Sequence, residues 1–237
     1  NASNVLFDDA GYRGAVIFTS GLCGLTCEDE TLTAGSGMPV TSLAVAAQRS
    51  CLSGLEFTYG IPGSVGGAVY MNAGAYEGEI KDVCRSSRVY NPVTGEVAVY
   101  SGADQRFGYR ESAYMKAELI ILSSSFSLRS TDPAAVRARM DTLMQRRVDK
   151  QPLDFPSAGS VFKRVNGFYT AKLIEDAGLK GMSVGGAQVS EKHAGFIINR
   201  GGATSSDVHR LIECIQNAVR DKFGVEIQPE VRTIPAL

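Results

Sequence analysis

The segment 60–76 limits the possible folds of this chain more than any other stretch. It reads Gly-Ile-Pro-Gly-Ser-Val-Gly-Gly-Ala over residues 60–68 and Met-Asn-Ala-Gly-Ala-Tyr over residues 71–76. Glycine tolerates a positive φ angle and a close ligand, and successive exposed N–H groups can bind phosphate oxygens. The spacing matches neither the dinucleotide fingerprint of a βαβ unit nor a P-loop. The segment therefore predicts either tight turns without a ligand or a phosphate- or dinucleotide-binding loop of another architecture.

Three residues of this segment, and Asn4 near the start of the chain, suit a polar cofactor. Pro62 stiffens the entry to the loop, and Ser64 offers a hydroxyl donor. Asn4 and Asn72 carry amides that can hydrogen-bond a ligand. These residue types are also common in ordinary turns, so both interpretations stay open at this point.

The bulk composition limits the class of protein. The chain has 237 residues, of which 44% are hydrophobic and 21% charged, enough for one large or two modest domains. A formal net charge of -1 argues against a nucleic-acid-binding protein. No apolar run approaches the roughly 20 residues that cross a bilayer. We expect a cytoplasmic monomer that binds neither nucleic acid nor membrane. Because the chain opens on Asn1 within what reads as a structured unit, we also expect part of the natural protein to precede it.

The cysteines argue against a metal site. Their number is odd, and the pair formed by the first two has no second pair to complete it. His193 and His209 stand apart from them. We expect reduced thiols and no bound metal. The cysteines are Cys23, Cys27, Cys51, Cys84 and Cys214.

Residue patterns along the chain predict an α+β fold. Strands are predicted at 15–19, 25–27, 31–33, 88–90, 97–100, 119–128 and 225–232, where β-prone runs alternate with turn residues. Helices are predicted from Pro133, from Thr170 to a terminating Gly178, and from Thr204, with Asp207 in its first turn, to Gly224. The region 150–153 is the best candidate for a linker. We therefore expect a β-rich domain over 1–150, followed by a smaller mixed part.

Four blocks of sequence resemble, in the same order, motifs of the UDP-N-acetylenolpyruvoylglucosamine reductases. The resemblance runs from Asn1 to near the C-terminus, and a long stretch from Ala171 to Asn199 also fits. The blocks are residues 61–68 with 72–76, Phe107-Gly108-Tyr109-Arg110, Pro156-Ser157-Ala158-Gly159-Ser160-Val161-Phe162-Lys163, and Pro229-Glu230-Val231-Arg232.

The resemblance implies a fold, a cofactor and a reaction. It implies an α+β fold with a FAD-binding lobe of the vanillyl-alcohol-oxidase/MurB type and a smaller α+β substrate-binding domain. Residues 1–150 would form the FAD-binding domain, 151–228 the substrate-binding domain and 229–237 a C-terminal return segment. With FAD as cofactor and NADPH as co-substrate, the implied reaction reduces UDP-N-acetyl-3-O-(1-carboxyvinyl)-glucosamine to UDP-N-acetylmuramate for peptidoglycan. The motif forms indicate the subtype without an extra substrate-covering loop.

The resemblance also implies roles for single residues. Arg110 would hold the substrate's carboxylate, Glu230 would donate a hydrogen bond as partner acid, and Ser160 would protonate the second carbon of the enolpyruvyl group. Without the resemblance, Arg110 and Glu230 read as an ordinary ion pair and Ser160 as a strand-edge serine. Cofactor contacts are expected from Asn1, Ala2, Ser3, Asn4, Pro62, Gly63, Ser64, Gly66, Gly67, Asn72, Gly74 and Ala75. Substrate contacts are expected from Tyr109, Lys163, Gln188, Lys192, His193 and Asn199, and for the last four the alternative is structural hydrogen bonding.

Two departures from the family pattern concern the FAD site. The N-terminal lobe that completes this site in the family is expected to precede Asn1. Ala2 stands where the Gly-x-Gly-Ser-Asn motif has its second glycine, and an alanine could crowd a positive-φ turn or the pyrophosphate. Two alternatives stay open. One is another FAD oxidoreductase of the same fold that uses oxygen, and the other is an inactive fragment that binds the UDP-sugar but not FAD.

Overall fold

The computed structural model describes residues 2–76, 78–165 and 167–236. Short strands dominate the first half of the chain, and the longest helices lie in the second. The strands are β1 (Val5–Phe7), β2 (Leu25–Glu28), β3 (Thr31–Gly35), β4 (Leu52–Ser53), β5 (Gly74–Ala75), β6 (Gly78–Glu79), β7 (Cys84–Tyr90), β8 (Val97–Ser101), β9 (Ile120–Ser127), β10 (Arg129–Ser130), β11 (Ser157–Ser160), β12 (Ser183–Val184), β13 (Ala187–Val189), β14 (Phe196–Asn199) and β15 (Arg232–Ile234). The helices are α1 (Val40–Arg49), α2 (Val65–Tyr70), α3 (Ala113–Lys116), α4 (Pro133–Lys150), α5 (Thr170–Asp176) and α6 (Ser205–Phe223).

The chain divides into two compact units. Unit 1 comprises Val16–Arg146, and unit 2 comprises Ala2–Ala15 together with the chain from Arg147 onward. The division falls within α4, whereas the sequence placed a linker at 150–153 and assigned residues 2–15 to the first domain. Residues 2–15 belong to unit 2 because β1 pairs with the C-terminal strand β15. This pairing joins residues more than 200 positions apart, and no local pattern in the sequence indicates it.

Unit 1 is built around a five-stranded antiparallel sheet in the order β2-β3-β9-β7-β8. The hairpins predicted at 25–33 and 88–100 are both present. The second hairpin turns where the Asn91 side chain accepts the Val93 N–H at 2.9 Å and Gly95 adopts φ 75°. In β3, Leu32 and Ala34 are fully buried and alternate with half-buried threonines, so one face of the strand covers the core.

Three helices of unit 1, α1, α2 and α3, lie where the sequence predicted only strands, turns and glycine-rich connections. In α1, Val40, Leu43, Ala44 and Ala47 are buried at helical spacing, but its alanines gave a weak apolar signal. In α2 the glycines disfavour a helix by about 1 kcal/mol each relative to alanine. Packing overrides this preference and requires glycine at this position of the helix. A Cβ on Gly66 would lie only 2.8 Å from the Ser36 Cβ, so a residue with a side chain would not fit.

Unit 2 contains a four-stranded antiparallel sheet in the order β11-β14-β13-β12, packed against α6. The prediction of α6 is confirmed at both ends. Thr204 caps the helix and forms a capping box with Asp207, and Gly224 ends it at φ 67°. The apolar stripe of α6 lies in the core of this unit with residues from the sheet and α5. Its buried members are Leu211, Ile212, Ile215 and Val219.

Residues 2–15 are bonded to the rest of unit 2 at two places. β1 runs parallel to β15, with Val5 opposite Arg232. The Asp9 carboxylate accepts the Ser205 N–H at 2.6 Å and the Ser206 N–H at 2.9 Å, at the positive end of the α6 dipole. The first segment of the chain is thereby held by the last helix and strand.

Two strand predictions were wrong. Residues 15–19 have no strand structure, and most of them are exposed. Within the predicted strand 225–232, only Arg232 lies in a strand, and β15 continues from it to Ile234. The earlier part makes a single bridge, between Pro229 and Phe162. Both segments have β-prone sequences, but neither is paired along its length with a neighbouring strand.

In the described part of the chain, no helix has both the length and the apolarity needed to cross a membrane. The cysteines are all free thiols. Burial raises the pKa of Cys84 to about 11, which makes this thiol unreactive at neutral pH. Within the same described ranges, no three His, Cys, Asp or Glu side chains are grouped as metal ligands.

Candidate active site

The glycine segment of unit 1 turns into α2 instead of forming an open nest of N–H groups. Three N–H groups at the start of this helix bond within the protein: Val65 to the Met38 carbonyl at 2.8 Å, Gly66 to the Ser36 carbonyl at 2.8 Å, and Gly67 to the Ser64 hydroxyl at 3.2 Å. Gly63 and Ser64 have N–H groups without an acceptor among the described residues. Among the N–H groups of residues 63–67, all of them described, these two, beside the exposed Pro62, are left to bind an anionic ligand.

The entry to the glycine segment is held by the start of α1. The Val40 N–H donates to the Gly63 carbonyl at 2.9 Å. The Thr41 hydroxyl accepts the Gly60 N–H at 3.2 Å and donates to the Ile61 carbonyl at 3.3 Å. One side chain thus satisfies a donor and an acceptor of the loop main chain. Thr41 was not among the predicted site residues, because this contact spans about 20 positions and leaves no local pattern.

Replacing Thr41 with valine should loosen this loop. Valine has nearly the same shape but leaves a partly buried N–H and C=O unsatisfied, at a cost of roughly 1–3 kcal/mol. We expect FAD to bind about tenfold more weakly, measured by flavin fluorescence titration. Thr41→Ser should restore binding, and Ser42→Ala, at the exposed next position of α1, should have no effect. An unchanged affinity of Thr41→Val for FAD would contradict the role of Thr41 in holding this loop.

Arg110 lies in unit 1 against the second half of the glycine segment. Arg110 has φ 56° and lies at the tip of a turn. Two main-chain hydrogen bonds between Gly108 and Glu111, of 3.0 and 3.2 Å, close this turn. Its guanidinium donates to the carbonyl oxygens of Asn72 at 3.3 Å and Gly74 at 3.0 Å, and stacks 5.0 Å from the centre of the Tyr109 ring. A Cβ on Gly74 would lie 2.8 Å from the Glu79 Cγ and from the Gly78 carbonyl oxygen, and 3.3 Å from the Arg110 Nη1, so the packing around Gly74 leaves no room for a side chain.

Ser160 ends β11 in unit 2. It pairs with Phe196 of β14, and the register shifts between Ser157 and Ser160, where Gly159 has φ 84°. Such a bulge redirects the side chain that follows it. Ser160 is exposed, and its hydroxyl has no hydrogen-bond partner among the described residues. The hydroxyl can therefore reach a ligand without breaking a bond to the protein.

Glu230 lies next to the same strand end. Its N–H donates to the carbonyl of Val161, the residue after Ser160, at 2.6 Å. Its carbonyl accepts the Asn4 Nδ2 at 3.4 Å, and its side chain is half-buried. Within unit 2, Glu230 is therefore bonded next to Ser160, and these are two predicted catalytic residues. Asn4, a predicted cofactor contact, is bonded to Glu230.

The other residues predicted to contact substrate in unit 2 make bonds within the protein. Gln188 Nε2 donates to the Gly181 carbonyl at 3.1 Å, Lys192 Nζ donates to the Val148 carbonyl at 2.6 Å, and Asn199 Oδ1 accepts the N–H groups of Gly201 at 2.8 Å and Ala203 at 3.1 Å. The main chain of Lys163 bonds to Gln228 and Thr170. These are the structural hydrogen bonds that the alternative interpretation expects, and substrate contact stays a prediction.

His193 is held as a neutral ring. Its Nδ1 accepts the Gly195 N–H at 3.1 Å, and its ring meets Phe196 edge-on at 4.9 Å. Burial lowers the pKa of His193, so the ring carries one proton, on Nε2. Nε2 is therefore a hydrogen-bond donor, suited to an oxygen atom of a ligand.

The first motif lies at the start of unit 2. Asn1 lies outside the described residues, and Ser3 is half-buried in a turn. Ala2 has φ 49°, in the left-handed region that favours glycine. The alanine therefore occupies the strained conformation that its position in the motif suggested.

Ala2→Gly should stabilise the chain. Removing the methyl group relieves about 1–2 kcal/mol of left-handed strain, partly offset by the greater entropy of glycine in the unfolded chain. We expect a melting temperature higher by about 2–4 °C, the shift that about 1 kcal/mol produces in a protein of this size. Ala10→Gly, at an exposed residue without a positive φ, should leave the melting temperature unchanged or lower it. A decrease for Ala2→Gly would show that its turn is not strained.

Comparisons with known proteins match both parts of the chain. Residues 1–101 match the family model described as an FAD binding domain, and residues 151–234 match that of the UDP-N-acetylenolpyruvoylglucosamine reductase, C-terminal domain. A UDP-N-acetylenolpyruvoylglucosamine reductase from Clostridium botulinum is 50% identical over 234 residues, 99% of this chain and 76% of the relative. The chain belongs to this reductase family. A relative of the same name from Levilactobacillus brevis is 48% identical, over 99% of this chain and 77% of its own length.

A solved structure of the family supports the fold. The crystal structure of UDP-N-acetylenolpyruvylglucosamine reductase (MurB) from Thermus caldophilus matches with a TM-score of 0.82 and 32% identity, over 98% of this chain and 83% of the other. The predicted α+β fold with an FAD-binding domain is confirmed. The N–H groups of Gly63 and Ser64, which have no acceptor among the described residues, fit a cofactor with anionic oxygens.

Proposed function

We propose that the chain catalyses the NADPH- and FAD-dependent reduction of UDP-N-acetyl-3-O-(1-carboxyvinyl)-glucosamine to UDP-N-acetylmuramate, a step of peptidoglycan synthesis. The main support is the 50% identity, over 99% of the chain, to relatives that carry the name of this reductase. Further support comes from the 2.6 Å hydrogen bond between the Glu230 N–H and the carbonyl of the residue after Ser160. This bond places the segment of the proposed acid next to the end of β11, which carries the proposed proton donor.

Arg110 and Glu230 stabilise the charge that develops on the substrate. FAD, which Gly63 and Ser64 of the glycine segment would help to hold, would supply the hydride chemistry between NADPH and the enolpyruvyl ether. The substrate's carboxylate gains negative charge as the double bond is reduced. The planar guanidinium of Arg110 binds this carboxylate through two N–H groups, and Glu230, as the partner acid, donates a further hydrogen bond.

Ser160 completes the addition. Its hydroxyl proton passes to the carbon that bears the carboxylate, and water then returns a proton to the serine oxygen. One hydride and one proton are added across the double bond, and no covalent bond to the protein forms. The exposed and unpartnered hydroxyl of Ser160 is suited to this exchange.

The proposed reaction also defines the setting of the enzyme. It consumes NADPH and a nucleotide sugar, two metabolites of the cytoplasm, and it requires neither nucleic acid nor a membrane. All the proposed site residues come from one chain, so a monomer is sufficient for the reaction.

Anaerobic spectroscopy of the purified chain with added FAD tests the proposal. NADPH should bleach the flavin absorbance, and the enolpyruvyl sugar should restore it with formation of UDP-N-acetylmuramate. Reoxidation by air at a rate indifferent to the sugar would instead indicate an oxidase of the same fold. A chain that takes up no FAD would be inactive by itself.

A further inference from the structure

We propose that Asn72 is a positioning residue that sets Arg110 for the substrate's carboxylate, and that its side chain does not contact the cofactor. The inference rests on the proposed function, in which Arg110 binds that carboxylate. It revises the role predicted for Asn72, which was a cofactor contact.

The hydrogen-bonding capacity of the Asn72 side chain is used within unit 1. The residue is fully buried. Its Nδ2 donates to the Gly108 carbonyl at 2.8 Å and to the Glu79 Oε2 at 3.0 Å, and its Oδ1 accepts the Lys81 N–H at 2.9 Å. A side-chain amide has two N–H donors, and both are engaged. No donor therefore remains for FAD.

Asn72 holds both the base and the tip of the turn that carries Arg110. Gly108 opens the turn, and the Asn72 amide binds its carbonyl. The main-chain carbonyl of Asn72 accepts the Arg110 Nη1 at 3.3 Å, at the tip of the same turn. One buried residue thus fixes the base of the turn and the guanidinium at its tip. A shift of about 1 Å in such a group is enough to weaken catalysis by a large factor.

Glu79 orients the amide of Asn72. Burial opposes ionisation of Glu79, but hydrogen bonds from Lys81 and Asn72 outweigh it and lower its pKa. Glu79 also forms an ion pair with Lys81 at 2.8 Å. A carboxylate accepts hydrogen bonds only, so it selects the NH2 end of the Asn72 amide, while the Lys81 N–H selects the oxygen. Glu79, seven positions away, was also absent from the predicted site.

The backbone of Asn72 makes a clean test possible. Its φ is 42°, a conformation that asparagine tolerates and glycine adopts without strain. Asn72→Gly therefore removes the amide and keeps the main chain. Asp29→Gly is a matched control, because Asp29 has φ 48° in an exposed turn of the same unit.

The decisive measurement is equilibrium binding to the FAD-loaded chain without NADPH. The probes are the enolpyruvyl sugar and UDP-N-acetylglucosamine, which lacks the carboxylate. We expect Asn72→Gly to weaken binding of the enolpyruvyl sugar about tenfold, with binding of UDP-N-acetylglucosamine and FAD nearly unchanged. In an Arg110→Lys background the same substitution should have little further effect. Asp29→Gly should bind all three as the wild type does.

Three results would overturn the proposal. They are a loss of FAD affinity in Asn72→Gly, equal weakening for both sugars, and full additivity with Arg110→Lys. If Asn72→Gly does not fold, Glu79→Gln takes its place in the same binding assay. We expect it to weaken binding of the enolpyruvyl sugar relative to UDP-N-acetylglucosamine by a smaller factor. Failure of the proposed function would instead be seen in the wild-type chain, as a reduced flavin that the enolpyruvyl sugar does not reoxidise.

Discussion

Ser160→Ala should leave the flavin reducible by NADPH and nearly abolish its reoxidation by the enolpyruvyl sugar. Alanine removes the proposed proton donor, and no described residue bonds to the Ser160 hydroxyl and could relay a proton through it. A positioned general acid contributes about 10²- to 10⁴-fold to a rate. We therefore expect the rate constant for reoxidation to fall by about 10³-fold, measured in a single turnover by stopped-flow absorbance.

Ser157→Ala is the control for this experiment. Ser157 is an exposed serine three positions earlier on β11, and its hydroxyl accepts only the Gly159 N–H, at 3.4 Å. It should reoxidise at the wild-type rate. Reoxidation of Ser160→Ala at the wild-type rate would exclude Ser160 as the proton donor while leaving the reductase activity itself intact.

Glu230→Ala should slow the same half-reaction by about 10²- to 10³-fold, the usual cost of removing one donor to a developing anion. The informative comparison is with Glu230→Gln. Glutamine is neutral and keeps N–H donors at the end of the side chain, so it retains the function of a protonated acid in part. We expect a loss of only about tenfold for Glu230→Gln, because the main chain of this residue is held by bonds to Val161 and Asn4.

Equal losses in Glu230→Gln and Glu230→Ala would contradict the role as a hydrogen-bond donor, because a residue required as a carboxylate tolerates neither change. Glu226→Gln, at an exposed glutamate of the same segment, provides the control and should have no effect. NADPH-driven bleaching should be unaffected in all three variants. A change in bleaching would indicate damage to flavin binding, which is a different role from the one proposed.

Local signals predicted the elements that local chemistry controls. Capping by Thr204 and Gly224 and an apolar stripe at helical spacing determined α6, and turn residues between β-prone runs determined the hairpin around Gly95. The same local reading failed for α2, where packing of Gly66 against Ser36 overcomes the poor helix propensity of glycine. It failed again at residues 15–19, whose β-prone side chains are not paired with a strand.

The candidate site shows the same limit. Motifs with enough spacing to be distinctive identified the family and pointed to Ser160 and Glu230. No pattern in the sequence indicated Thr41 or Glu79, because their contacts join segments that only folding brings together. The pattern also suggested exposed N–H groups along the glycine segment, but those of Val65, Gly66 and Gly67 bond to Met38, Ser36 and Ser64 instead.

The sequence by itself determined that 60–76 is the glycine-rich segment of a flavoenzyme family, since the order and spacing of its residues are distinctive. Only the tertiary structure decided how each part of that segment is used. Among residues 63–67 it left the N–H groups of Gly63 and Ser64 available, and it enclosed Asn72 in a network that reaches Arg110. The physical reason is that a buried polar group must find a partner. Which partner it finds depends on contacts between distant segments, which the sequence does not display.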